Sequence, residues 1–178
     1  MKNKLYYIFL IFIFNFIINF NAYGADIFNF DVTEVEIIEE GNKFIGKNGG
    51  TVTSEDGTFI KAKNFEYDKI KNILIAFGNV EIIDEKENII IKSQKITYLK
   101  NDEFLFTSGK SKATSDGIVI DADNFEYNKI KNIINAYGNV KIDNLDENYV
   151  IFTDEATYQK NKDVFTTKGK SKAINEGS

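Results

Sequence analysis

The chain has 178 residues, a net charge of −5 and no Cys, His, Pro or Trp. This composition excludes disulfide bonds, thiolate or imidazole metal sites and histidine-based acid–base catalysis. All 22 basic residues are lysines, which removes bidentate arginine contacts to phosphates or base edges, and the acidic balance makes nucleic acid an unfavourable partner.

The first residues predict a secretory signal peptide. Lys2 and Lys4 precede an uncharged apolar run of 16 residues, and the small residues Gly24 and Ala25 follow it. A basic start, a short apolar middle and a small-residue cleavage site are typical of such leaders. The run is shorter than the ~20 residues that span a bilayer comfortably, and an uncleaved anchor stays as the alternative. We expect residues 1–25 to direct the protein into a periplasm-like space, with cleavage at Gly24 or Ala25.

Residues 26–178 are expected to form one domain, which is long enough to bury a core without covalent crosslinks. Residues 26–54 show only blurred alternation, and we interpret them as an atypical first module that caps the rest. Asp56-Gly57 is a two-residue turn signal. After it, the apolar residues change from even to odd positions around Asn64. A parity switch inside one extended run predicts a bulge or corner there, and with it a curved sheet.

The next elements are short strands separated by polar turns. Residues 68–72 predict a polar hairpin connection, and Ile73–Phe77 is apolar on both faces. One face is expected to fill a core while the other meets a second apolar surface. Gly78-Asn79 is predicted to form a hairpin turn before a strand that starts at Val80. No stretch after the leader has a sustained 3.6-residue period, so the mature chain is predicted to be all-β.

Residues 56–114 are repeated as residues 116–174 at a constant offset of 60, with 31 of the 59 aligned positions identical. Each unit divides into two similar halves, which gives a module of about 30 residues. A copy at fixed spacing is typical of stacked repeat architectures. Glu176-Gly177 falls where the earlier units open. We therefore expect either that a partner supplies the next strand or that this is the front of a longer protein.

No constellation of residues predicts catalysis. Asp121 and Asp123 share a strand face, but the other copy has Lys61 and Lys63 there, so a solvated charged face explains them better than a metal site. Gly-Lys-Ser at 109–111 lacks the rest of a phosphate loop. A glycan hydrolase with two carboxylates is disfavoured because no acid pair recurs between the repeats. The sequence predicts a non-enzyme that carries no cofactor and no metal.

The pattern Ala-x-x-Phe-x-Tyr, about ten residues, then Ala-x-Gly-Asn-Val occurs at Ala62–Val80 and Ala122–Val140. Degenerate half-units occupy Ser93–Ser111 and Asp154–Ser171. The pattern resembles the OstA-like family, known through the periplasmic bridge protein of lipopolysaccharide transport and the N-terminal domain of the outer-membrane assembly protein of the same pathway. The resemblance covers nearly all of residues 26–178 and implies a twisted, slotted β-jellyroll built from stacked repeats.

What the resemblance implies is a periplasmic protein that binds lipopolysaccharide, shields its acyl chains in an apolar slot and takes part in outer-membrane assembly. It also implies edge-strand pairing with other OstA-like domains or with further copies of the chain. If the chain is part of the longer assembly protein, it is outer-membrane associated. The alternative is a secreted structural β-solenoid that assembles end to end without a lipid. The candidates for lining the slot are aromatic and aliphatic residues at module spacing: Phe65, Tyr67, Ile75, Phe77, Val80, Ile82, Ile96, Tyr98, Phe104, Phe106, Phe125, Tyr127, Tyr137, Val140, Ile142 and Tyr158.

Overall fold

The computed structural model describes residues 28–175, and in this part of the chain the regular elements are strands and three short 3₁₀ turns. The predicted signal peptide, residues 1–25, lies outside the described residues. No helix long and apolar enough to cross a membrane occurs between residues 28 and 175. The strands are β1 (Phe28–Ile38), β2 (Lys43–Ser54), β3 (Phe59–Ala62), β4 (Asn64–Asp68), β5 (Ile73–Asp84), β6 (Ile89–Leu99), β7 (Phe104–Ser108), β8 (Ser111–Ser115), β9 (Ile118–Ala122), β10 (Asn124–Asn128), β11 (Ile133–Asn144), β12 (Tyr149–Gln159), β13 (Val164–Lys168) and β14 (Lys172–Asn175).

The strands form one antiparallel sheet in which neighbours in the chain are neighbours in space. β3 and β4 act as one interrupted strand, because both pair with β2 on one side and with β5 on the other. β7 with β8, β9 with β10 and β13 with β14 are interrupted in the same way. The all-β prediction is confirmed, and the topology is a simple meander of local hairpins.

The sequence repeat is also a repeat of strand register. Ile73 pairs with Leu99 and Val80 with Ser93 in the β5–β6 hairpin. Ile133 pairs with Gln159 and Val140 with Thr153 in the β11–β12 hairpin, at the same offset of 60. Residues 28–54, predicted to be a cap module, form the corresponding hairpin of β1 and β2. The same backbone geometry is therefore used in each unit although only part of the sequence is copied.

A row of breaks runs across the middle of the strands and bends the sheet. The corner predicted near Asn64 is confirmed, since β3 ends and β4 begins on either side of Lys63, and the second repeat has the same break at Asp123. The Lys63 amide donates a hydrogen bond to the Gly78 carbonyl at 3.0 Å, and the Asp123 amide donates one to the Gly138 carbonyl at 2.9 Å. These bonds carry the sheet across the break.

Gly78-Asn79 is a bulge inside β5, and the prediction of a hairpin turn there is wrong. Gly78 has φ +84 and packs against Lys63, so that a Cβ would lie 2.9 Å from the Lys63 Cβ. A glycine reaches this left-handed backbone region without the steric cost that other residues have. The pair therefore bends one continuous strand, and the buried apolar positions stay on even numbers from Leu74 through Ile82.

The bend brings the two halves of the sheet face to face around one apolar core. Phe28, on the first half of β1, places its ring 5.0 Å from the ring of Tyr67 on β4 and 5.8 Å from that of Tyr98 on β6. The buried core residues form a single cluster that extends from Phe28 to Tyr158. The molecule is thus a folded meander with its glycine-rich corner on one side and its hairpin turns on the other.

Candidate functional site

Eleven of the predicted lining residues face the interior, and none of them is more than 4% exposed. They come from both halves of the folded sheet and from both repeats, so apolar side chains line the interior in each repeat. These residues are Phe65, Tyr67, Val80, Ile82, Ile96, Tyr98, Phe125, Tyr127, Val140, Ile142 and Tyr158.

The other five predicted residues, Ile75, Phe77, Phe104, Phe106 and Tyr137, lie on the opposite face of the sheet, away from the interior. Alternation decides this, because each of them has a buried neighbour on the inner face. Phe106 is 37% exposed and stacks obliquely on Phe104 with the ring centroids 4.8 Å apart. The phenol of Tyr137 donates a hydrogen bond to Glu126 at 3.0 Å. These five side chains therefore lie outside the interior that the sequence predicted them to line.

The neighbouring residues of the same strands that do face the interior were not identified from the sequence. Leu74, Ala76, Leu105 and Ile134 are at most 1% exposed. Strand register contains the missing signal, because Phe65 lies opposite Ala76 on the same face, and a small residue leaves room for the large ring. Only knowledge of the pairing identifies that face, since the bulge in β5 has the appearance of a turn in the sequence.

The interior opens at the β1 end of the sheet into a cleft of about 350 Å³. Phe30 and Phe44 stack across it with their centroids 5.8 Å apart, and Val35 and Ile37 on its rim are more than half exposed. Tyr67 belongs both to this cleft and to the buried core. The cleft is therefore a place where the interior meets solvent, and most of its lining residues belong to the module that the sequence predicts to be a cap.

The polar ends of the interior tyrosines point to the hairpin turns opposite the corner. Tyr67 donates a hydrogen bond to Asn72 at 3.1 Å, Tyr127 donates one to Asn132 at 3.3 Å, and Tyr98 donates to Glu103. Burial, with nearby carboxylates, raises the pKa of the Tyr98 and Tyr127 phenols far above the usual range. Burial therefore favours the neutral phenol over the tyrosinate at both positions.

Nothing within residues 28–175 groups His, Cys, Asp or Glu in a way that could hold a metal ion. The polar side chains inside the corner bond to one another instead. Ser111 bonds to Ser93 at 3.1 Å and to Thr107 at 2.7 Å, and the Thr107 hydroxyl accepts a hydrogen bond from the Phe125 amide at 2.7 Å. These hydroxyl groups therefore satisfy one another's hydrogen bonding inside the corner.

Both ends of the described sheet are edges. β1 pairs only with β2, and β13 and β14 pair only with β12 in the described part of the chain. β14 is exposed throughout, and Ile174 is 37% exposed. Unpaired backbone groups at an exposed edge can pair with a strand of another chain.

Comparison with known proteins identifies the family. Residues 59–170 match the model of the LptA/(LptD N-terminal domain) LPS transport proteins. The fold is similar to the crystal structure of LptH, described as the LptA-homologous periplasmic component of the lipopolysaccharide transport device of Pseudomonas aeruginosa. The TM-score is 0.54 at 14% identity, with 64% of this chain and 86% of that chain covered. No curated protein sequence gives a significant match. Since the family model spans more than half of the residues, the chain belongs to the LptA/LptD N-terminal domain family of lipopolysaccharide transport proteins, and it has the β-jellyroll predicted from the repeated motif.

Proposed function

We propose that this protein binds lipopolysaccharide in the periplasm by enclosing its acyl chains in the apolar interior, and that it passes the lipid along without chemistry. The observation that carries the proposal is that Phe28 and Tyr67 belong both to the buried interior and to the open, partly aromatic cleft at the β1 end. Membership of a lipopolysaccharide transport family supports the choice of ligand. The direction of movement would come from an energy-coupled machine elsewhere.

The energetic reason for such an interior is the cost of exposing acyl chains to water. Each exposed CH₂ group costs ~0.8 kcal/mol, so a single long chain costs on the order of 10 kcal/mol. The cleft volume of about 350 Å³ is near the lower end of the range for small-molecule sites. It suits part of one acyl chain, and deeper insertion requires the two halves of the sheet to separate.

The exposed edge strands support a second part of the proposal, namely that the protein bridges to other domains of the same fold. Strand addition at an edge supplies a row of backbone hydrogen bonds without any prior change in the sheet. Pairing of β1 or of β13 and β14 with a neighbouring domain would extend the apolar interior from one domain into the next. The neighbour is either another OstA-like domain or a second copy of this chain.

Photocrosslinking to lipopolysaccharide tests the lipid site. A photoreactive phenylalanine analogue replaces Phe44 in the cleft, and the matched control replaces Phe77, an aromatic residue of similar partial burial on the outer face. We expect lipopolysaccharide to be labelled from Phe44 and not from Phe77, because Phe44 lines the cleft and Phe77 does not.

Equal labelling from both positions would indicate unspecific adhesion and contradict the proposal. If neither position labels the lipid while the purified protein forms end-to-end oligomers as its concentration rises, the structural β-solenoid is the better account. That outcome would keep the edge pairing and remove the lipid.

A further inference from the structure

Opposite the glycine corner, the hairpin turns of the two halves of the folded sheet meet and form a row of ion pairs. One side of the row presents carboxylates from the turns of the first half, and the other presents lysines that begin the turns of the second half. The paired groups are Asp56 with Lys100 and Lys129, Asp84 with Lys129, and Asp116 with Lys160. We refer to these six residues as the seam.

Lys129 is at the centre of the seam. Its side chain is only 8% exposed, and its ammonium lies 2.5 Å from Asp56 Oδ2 and 3.1 Å from Asp84 Oδ2. The Asp84 side chain is 6% exposed. The ammonium also donates to the Thr58 hydroxyl and lies 5.7 Å from the centroid of the Tyr98 ring. Lys129 therefore joins three turns that are far apart in the chain.

The pairing recurs with the repeat. Lys100 lies 3.4 Å from Asp56, and Lys160 lies 2.7 Å from Asp116. The side-chain amide of Asn132 also donates a hydrogen bond to the Glu87 carboxylate, which joins the same two rows of turns. The seam is thus a row of polar contacts along one side of an otherwise apolar interior.

The chemistry of the seam favours reversible closure over permanent closure. Replacing a buried ion pair with well-packed apolar residues is often neutral or stabilising, so charges are not needed merely to hold two faces together. Separated charges in the seam can be solvated by water, whereas exposed apolar side chains cannot. Gly78 and Gly138, with φ of +84 and +75, lie at the corner on the opposite side of the interior, where a hinge would be.

We propose that the seam is a lateral latch, and that its opening about the glycine corner separates the two halves of the sheet and exposes the apolar interior along its side. The identity of what enters rests on the proposed function, but the opening itself does not. In the structure as described, the interior side chains pack against one another, and the cleft at the β1 end is open to solvent.

The latch can be tested without lipid, because the chain has no cysteine of its own. A single cysteine replaces Ala76, an interior residue with 0% exposure, and its rate of reaction with a maleimide reports opening. Lys129→Met is then added to break the centre of the seam. The matched control is Lys112→Met, which removes an outer-face ion pair with Asp121 at 2.8 Å.

We expect Lys129→Met to raise the labelling rate at least tenfold and Lys112→Met to leave it unchanged. The increase should persist at low urea concentrations with little dependence on urea, because hinge opening exposes less surface than unfolding. Asp116→Asn, which removes a half-exposed partner of Lys160, provides a milder variant with an expected two- to fivefold increase.

An unchanged rate in both seam variants would overturn the latch. So would an increase with the steep urea dependence of global unfolding, since the seam would then only stabilise the fold. Rapid labelling of the seam variants together with no lipopolysaccharide crosslink from Phe44 would keep the latch and reject the lipid. The two proposals can therefore fail separately.

Discussion

The assignment of inner and outer faces can be tested on two consecutive residues of β7. Leu105 is 1% exposed and faces the interior, whereas Phe106 is 37% exposed and faces outward. We compare Leu105→Ala with Phe106→Ala. Phenylalanine is the larger side chain, so a ranking by size alone predicts that Phe106→Ala is the more damaging change.

The structure predicts the opposite ranking. Truncation of a fully buried leucine leaves a cavity and costs about 3 to 4 kcal/mol. Complete burial of a phenylalanine is worth about 1.5 to 3 kcal/mol, and Phe106 keeps more than a third of its surface in water, so its truncation should cost about 1 to 2 kcal/mol. The contact with the Phe104 ring is the main interaction that Phe106→Ala removes.

Urea unfolding measures the difference. With a slope of about 2 kcal/mol per molar urea, Leu105→Ala should lower the midpoint by roughly 1.5 to 2 M and Phe106→Ala by less than about 1 M. Both variants should keep the slope of the wild type. A larger loss of stability in Phe106→Ala would refute the assignment of faces on β7, and with it the distinction between lining and outer residues.

Two further predictions concern the interior tyrosines and the Gly49-Gly50 segment of β2, which lies beside β1. Burial raises the phenol pKa of Tyr98 and Tyr127 above the unfolded value of about 10. The contribution of the two neutral phenols to the stability of the fold is therefore complete below about pH 10 and is lost as the pH rises above it. Tyr127→Phe should reduce only the tyrosinate absorbance that appears on alkaline unfolding; a smaller signal while the circular dichroism is still native would contradict this. Gly50→Ala should lower the melting temperature more than Gly49→Ala, because a Cβ at Gly50 would lie 2.4 Å from the Asp31 carbonyl, while a Cβ at Gly49 has no neighbour within 4 Å. Equal decreases in melting temperature would show that β1 does not pack closely against Gly50.

The sequence determined the architecture because repeat, alternation and turn chemistry are local properties. The offset of 60 between the copies predicted stacked modules, and the parity switch at Asn64 predicted the corner that the structure has. The repeated aromatic motif was enough to identify the family. Phe65 and Tyr127 could be assigned to an apolar interior because they alternate with polar residues on strands without a bulge.

Tertiary structure alone decided the inner face of the bulged strands, the open cleft and the seam. Gly78-Asn79 reads as a turn in the sequence, yet the backbone continues through it, which placed Ile75 and Phe77 outside and Leu74 and Ala76 inside. Lys129 and Asp84 are 45 residues apart, and each lies in a polar segment with the composition of an ordinary solvated turn. They meet only because the sheet folds on itself, and nothing in the local sequence of either turn indicates its partner.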